Sequence, residues 1–299
     1  MARAWTVRDT VLKVEGGWHG GNTDLSSKVY APFEQPTAAD LPPGAADHVE
    51  AFPLNDQERF KTILDDNRGD VAAVILDPRK AGIEPDEAFL DVLVDESEDR
   101  DFLVISDEVV TGFRVAPGSD QARVSVEPDL TALGKTVGGG LPVGAIAGRA
   151  DLFEPARPDV DVSPDERIIA GGGTFAGNPM TLAAGLATLE VIEDEPVHDH
   201  TERLTERLRS GVDEIFEERG LDAEMLGLSS LVRPAFGVDR PLRTPRDVIE
   251  GTDTERLKEY HVALGDRGYF FLPGHMGNLT YRHTEAHVDG VVEATREIL

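Results

Sequence analysis

Lys135 and Asp107 are the two residues whose types and spacing point most directly to chemistry. Lys135 closes the segment Pro128-Asp129-Leu130-Thr131-Ala132-Leu133-Gly134-Lys135 and leads into the glycine-rich run Gly138-Gly139-Gly140-Leu141-Pro142-Val143-Gly144. Asp107 stands 28 positions earlier, at the end of the apolar run Phe102-Leu103-Val104-Ile105-Ser106. A lysine amine can form a Schiff base with an aldehyde, and a carboxylate can keep a pyridine nitrogen protonated so that the ring draws off electrons. That pair, with a glycine-rich loop behind the lysine, is the combination that pyridoxal 5'-phosphate chemistry needs. The plainer alternatives are a solvated surface lysine and an aspartate that only caps the next turn.

The elements that must position this pair alternate short apolar runs with amphipathic stretches, which predicts an α/β domain with a mostly parallel sheet. Strands are expected at 71–76, 102–106, 130–133 and 145–148, and helices at 85–96 and 179–193. A turn or helix is expected to start at 149–153. The stretch 22–50 is polar, rich in proline and without periodicity, so it is expected to be an ordered loop or lid. A helix over about 197–219 opens a second, α+β domain, with strand candidates at 231–236 and 269–272, a surface excursion at 241–250 and a terminal helix from Thr284. The resulting division is a cofactor-binding large domain over 1–196 and a small C-terminal domain over 197–299.

Composition narrows the classes. The 299 residues carry 57 acids against 29 bases, a formal charge of −28, and only six of the bases are lysines. Such a surface repels nucleic acid and anionic membranes, so neither is an expected partner. We read the charge as adaptation to a high-salt cytoplasm, where screening shortens the reach of self-repulsion; the alternative is an ordinary acidic protein. There is no cysteine, which rules out disulfides, thiolate nucleophiles and Cys-based zinc sites. The first residues show no apolar signal-peptide core, and the most apolar stretch, 71–76, is too short to span a bilayer. A cytoplasmic location is expected.

The motifs resemble those of the class III, fold-type I pyridoxal-phosphate aminotransferases, on the branch that contains glutamate-1-semialdehyde 2,1-aminomutase. The matching segments run in order: Gly16-Gly17-Trp18-His19-Gly20-Gly21, then Ser106-Asp107-Glu108-Val109-Val110-Thr111-Gly112-Phe113-Arg114-Val115, the Lys135 segment, and Gly172-Gly173-Thr174-Phe175-Ala176-Gly177-Asn178-Pro179. A weaker match runs from Leu272-Pro273 to His283-Thr284. The resemblance implies an aspartate-aminotransferase-like large domain with a smaller α+β domain. It also implies a homodimer with active sites at the subunit interface, acting on a small amino acid, amine or amino-aldehyde. Lys135 would carry the cofactor and shuttle the substrate proton, and Asp107 would face the pyridine nitrogen. Trp18 would stack on one ring face, with His19 beside it in the cofactor site, and Val109 would pack on the other face. Thr174 would reach the phosphate of the neighbouring subunit.

Four further points accompany the resemblance. The family's phosphate-cradling turn, a Ser-Gly-Thr-Glu-Ala-like segment, has no counterpart ahead of Trp18. The alternative expectation is therefore a catalytically silent fragment or one subunit of a split enzyme. Asp77-Pro78-Arg79 stands where many relatives carry Glu-Pro, which bears on substrate recognition. His283 and His287 lie four apart without the glutamate of a zincin motif, so no metal is expected there. Arg114 and Arg282 are candidates to meet a substrate carboxylate, but each is expected instead to be a surface or structural arginine.

Overall fold

The computed structural model describes residues 1–35, 39, 41–124, 126–164, 166–168, 172–239 and 241–299. The chain divides into two compact units, residues 1–78 with 85–190 and residues 79–84 with 191–299. Among the described residues no helix is long and apolar enough to cross a membrane.

The first unit is built on six strands: β1 (Thr10–Val14), β2 (Val49–Phe52), β3 (Val71–Leu76), β4 (Leu103–Glu108), β5 (Leu130–Gly134) and β6 (Gly144–Gly148). They lie in the order β2-β1-β3-β4-β5-β6, parallel throughout except that β6 runs antiparallel to β5. β3 is Val-Ala-Ala-Val-Ile-Leu and every residue of it is buried, because a central parallel strand is covered on both faces and needs no polar side. β6, at the edge, is exposed along its whole length.

The helices of this unit are α1 (Ala2–Thr6), α2 (Gln57–Asp66), α3 (Glu87–Arg100), α4 (Ala150–Phe153) and α5 (Pro179–Asp194). Asp56 caps α2 by accepting from the Arg59 amide, and Asp86 caps α3 by accepting from the Phe89 amide at 2.7 Å, each satisfying an otherwise unpaired helix donor. α2 buries Phe60, Ile63 and Leu64, at i, i+3 and i+4, and α3 buries Phe89, Leu90 and Leu93, at i, i+1 and i+4, each set on one helix face. Phe60 and Phe89 meet Phe52 of β2 in a triad with ring centroids 4.9 to 5.9 Å apart.

The second unit contains α6 (Val197–Glu218), β7 (Ala223–Leu228), β8 (Leu231–Phe236), α7 (Pro245–Gly251), α8 (Thr254–Asp266), β9 (Gly277–Asn278) and α9 (Glu285–Ile298). The strands form an antiparallel sheet in the order β7-β8-β9. Leu204, Leu208, Val212 and Phe216 of α6 pack with Phe236, Leu257, Tyr260 and Val288 in its core.

Several sequence expectations need correction. Residues 269–272 are not a strand. Tyr269 and Phe271 pack toward the core while Phe270 and Leu272 are exposed, so the alternation is real, but the backbone paired with β8 is β9. Residues 241–250 are more than an excursion: Thr244 and Asp247 form a capping box, Pro245 occupies the first turn, and α7 buries Val248 completely. In the stretch 22–50, Val49 and Glu50 belong to β2, and residues 36–38 and 40 lie outside the described residues. Its first part is tethered rather than loose, because the fully buried Lys13 of β1 donates from Nζ to the carbonyls of Leu25 and Ser27 at 2.8 and 2.7 Å. β1, β2 and β7 had no counterpart in the sequence reading.

Candidate active site

Three neighbouring parallel strands end at the site. Asp77 follows β3, Asp107 is the penultimate residue of β4, and Lys135 follows β5 directly. The carboxyl ends of parallel strands are where α/β sheets present functional groups, since the chain there turns out into loops.

Asp107 and Glu108 are consecutive in β4, so their side chains leave opposite faces of the sheet. Glu108 is fully buried and accepts from Thr111 Oγ1 at 2.5 Å, the Asp120 amide at 2.9 Å and the Gln121 amide at 2.8 Å. It pins the loop that carries Arg114. Asp107 takes the other face. Its Oδ2 lies 2.6 Å from His19 Nδ1, and its Oδ1 accepts from the Val109 amide at 3.1 Å. The His19 side chain is almost wholly shielded, and its Nε2 is buried without a hydrogen-bond partner. The imidazole thus holds the carboxylate from behind and fixes its orientation.

Lys135 opens a short 3-10 turn with φ 50°, a left-handed backbone that non-glycine residues rarely adopt and that is found at functional sites more often than elsewhere. The residue is exposed by area, yet its amine is pushed below the ordinary lysine range, first by desolvation and further by the Arg114 charge. Asp107, and more weakly Asp77, pull the other way. The amine is therefore held close to two carboxylates and one guanidinium. Arg114 is half-buried, donates from Nε to the Val110 carbonyl at 2.8 Å, and is itself shifted down by burial. With Lys135, Thr136, Gly140, Leu141 and Pro142 it lines an open cleft of about 480 Å³.

The glycine run behind the lysine serves packing. A Cβ on Gly139, whose φ is 60°, would fall 2.4 Å from the Ala184 carbonyl oxygen of α5, and one on Gly185 would fall 2.3 Å from the Val137 carbonyl oxygen. The two backbones approach so closely that neither position admits a side chain, which locks the lysine turn against α5.

The predicted residues are therefore not all gathered in one place. Asp107, His19 and Val109 are linked by hydrogen bonds, and Lys135 is coupled to Asp107 by charge. Val109 also abuts the lysine strand, its Cγ1 lying 3.2 Å from where a Cβ on Gly134 would sit. Trp18, next to His19 in sequence, is 53% exposed. Thr174 is exposed in the turn before α5, and the cap of that helix comes from Asn178, whose Oδ1 accepts from the Thr181 amide. Arg282 is exposed. His283 and His287 accept from the amides of Thr280 and Thr284 through their Nδ1 atoms, as turn and cap residues.

Arg114, for which a surface or structural role was preferred over a substrate carboxylate, lines the cleft, and Asp77 was not expected as a neighbour of the lysine. The available signals were the six-residue separation of Arg114 from Glu108 and the position of Asp77 at the end of an all-apolar strand.

The donor set fits a pyridoxal phosphate ring: an amine of depressed pKa for the aldehyde carbon, and a carboxylate, braced by an imidazole, for the ring nitrogen. The comparisons agree. The model of the class-III aminotransferase family matches residues 1–223. A glutamate-1-semialdehyde 2,1-aminomutase of Archaeoglobus fulgidus is 35% identical over all of this chain and 71% of its own length. One of Halobacterium salinarum is 32% identical over all of this chain and 72% of its own. Among solved structures, an omega-transaminase from Sphaerobacter thermophilus superposes with a TM-score of 0.88 at 30% identity, covering 99% of this chain and 69% of that one. These likenesses do not favour a catalytically silent chain. An amine and a carboxylate at the carboxyl ends of adjacent strands, in a chain matched to one family along most of its length, settle its kinship: it belongs to the class-III aminotransferases, a family of pyridoxal-phosphate enzymes.

Proposed function

We propose that this chain transfers an amino group to or from a small amino acid, amine or amino-aldehyde, with Lys135 and Asp107 as its catalytic residues. The observation that carries this reading is the Lys135 amine, lowered in pKa by desolvation and charge-coupled to Asp107. Desolvation leaves more of the amine unprotonated near neutral pH, which suits it both to bond a carbonyl carbon and to accept a proton. The bound cofactor supplies an electron sink for the charge that develops at the carbon losing its proton. Asp107, oriented by His19, keeps the ring nitrogen protonated. Trp18 and Val109 would hold the ring between them, and Thr174 of a second subunit would hold its phosphate.

A homodimer is part of this proposal. Met180, Leu182 and Leu186 of α5, and also Ile146 and Phe175, are large apolar side chains left exposed, which supports a partner surface over this helix. The −28 charge supports a cytoplasm of high salt as the working environment. The aminomutase relatives support an internal transfer in which the intermediate stays bound, and the omega-transaminase supports transfer between two substrates.

The test is to add pyridoxal phosphate to the purified protein in molar salt and to its Lys135→Ala variant. A cofactor absorbance band in the wild type that is lost in the variant, and that bleaches on addition of an amine donor, is the expected result. A folded wild type with the same spectrum as the variant sinks the proposal. Release of a keto product then separates transfer between substrates from rearrangement within one.

A further inference from the structure

β1 contains a lysine that the proposed reaction does not use. Lys13 is fully buried, in a strand paired on one side with β2 and on the other with β3. Its neighbours Leu12 and Val14 are the apolar residues that such a strand ordinarily carries. Burying an amine costs stability unless hydrogen bonds answer it, whereas an apolar side chain of similar length would fill the same space without that cost. Two bonds that answer it lie on one segment, at the carbonyls of Leu25 and Ser27.

That segment is the returning limb of a closed loop, residues 16–28. The Gly16 amide donates to the Lys28 carbonyl at 3.2 Å, joining the two ends, and the Gly17 amide donates to the Val14 carbonyl at 2.8 Å. Asn22 turns the chain back: its Oδ1 accepts from the Asp24 and Leu25 amides at 3.0 and 3.2 Å, and its carbonyl accepts from Ser26 Oγ at 2.5 Å. Compact loops with joined ends are often functional. The outgoing limb of this one carries Trp18 and His19. His19 folds back on Gly17, so closely that a Cβ there would fall 2.8 Å from its Nε2, and its Nδ1 lies 2.6 Å from Asp107 Oδ2. A shift of the loop by about 1 Å takes that pair beyond hydrogen-bond range.

We infer that Lys13 is a positioning residue for the active site: by fastening Leu25 and Ser27 to β1 it fixes the loop 16–28 and so keeps His19 on Asp107. It acts through His19 rather than on the reacting groups. The inference rests on the cofactor role proposed for Asp107, but its first readout needs no cofactor.

Lys13→Met removes the donor and keeps the length. In the protein without cofactor, the proton shared by His19 and Asp107 should give a low-field NMR resonance, identified by its absence in His19→Gln. The expected result is loss of that resonance in folded Lys13→Met. Pyridoxal phosphate titrations of the wild type, both variants and the double variant then form a cycle. Each single substitution should weaken cofactor binding about tenfold, and the double variant should be weaker than either by less than about threefold, since both break one linkage. A wild type without the resonance, a resonance that persists in Lys13→Met, or two effects that multiply in the double variant overturns the inference. If the wild type binds no cofactor, the proposed function fails and the resonance alone decides about Lys13. If Lys13→Met does not fold, hydrogen exchange in the wild type decides: amides of Leu25, Ser26 and Ser27 that exchange at least about 10²-fold slower than in an unstructured chain support the inference, and faster exchange refutes it.

Discussion

Charged groups shielded from solvent are answered more fully in the first unit than in the second, although the second also pairs the buried Arg79 with Glu84. In the first, Glu108 has three donors, Lys13 has two carbonyls, and Asp107 has an imidazole and an amide. In the second, the part-buried Arg233 has its Nε shielded without a hydrogen-bond partner among the described residues. The lesson concerns which charged groups are structural. Glu108 and Lys13 are satisfied by the fold and hold loops in place. Lys135 is desolvated and charge-coupled rather than satisfied by the fold, and such groups are the ones left to meet a ligand. Neighbours in sequence can fall on either side of this line, as Asp107 and Glu108 do.

The strongest way to break that comparison is to remove the unneutralised lysine. Lys135→Ala should cut amino-transfer turnover by about 10²–10⁴-fold through loss of the proton-transfer role alone, while its melting temperature stays near wild type because the residue is exposed. Initial rates with an amine donor, beside a thermal melt, check both halves. In the wild type the unprotonated amine grows as pH rises through its lowered pKa, so the acid limb of the rate profile should lie below the ordinary lysine range.

Asp107→Asn keeps the shape and removes the charge. Turnover should fall by about 10²–10³-fold, the scale of losing one electrostatic contact to the reacting system, with the protein still folded. A rate within tenfold of wild type would mean that Asp107 belongs with Glu108 as a structural acid.

His261 sharpens the comparison through pH. The unfolded chain protonates this histidine near 6.5, whereas burial holds the folded form down to about 4. Between those values the unfolded state binds more protons, so stability falls as pH drops through this window, by up to about 3 kcal/mol. Urea unfolding at pH 7 and pH 4.5 measures it, and His261→Phe should flatten the slope.

Glu108→Gln should show the smallest effect. It retains one oxygen acceptor but loses the charge-assisted hydrogen bonds, at a cost of about 1.5–3 kcal/mol. Denaturant titration should show that loss, and turnover per folded molecule should fall less than in Asp107→Asn.

The interior of the sheet was legible because its strands carry their own signature. Residues 71–76 are an unbroken apolar run between turn residues, and the structure buries all of them as β3. β1 was not legible: Thr10 and Lys13 interrupt its apolar pattern, and it takes partners such as the carbonyls of Leu25 and Ser27 to make a buried lysine tolerable there. β9 has two residues, too few for any periodicity, whereas the aromatic run 269–272 looked more like a strand than the segment that pairs. The capping box of α7 was present in the sequence as Thr244, Pro245 and Asp247, and its surroundings of proline and arginine obscured it.

The sequence by itself determined the chemistry on offer: a lysine and an aspartate in long motifs, a glycine run behind the lysine, no thiol, and a strongly acidic surface. Those are matters of residue type and local spacing. The tertiary structure decided which groups stand together. Strand order brought Asp77 and Lys135, 58 positions apart, within charge reach of each other. The pleat sent Asp107 and Glu108 to different tasks, and the fold of the second unit left the Arg233 Nε shielded without a hydrogen-bond partner among the described residues. Such outcomes depend on distance and desolvation, and both are set only when segments remote in the chain pack together.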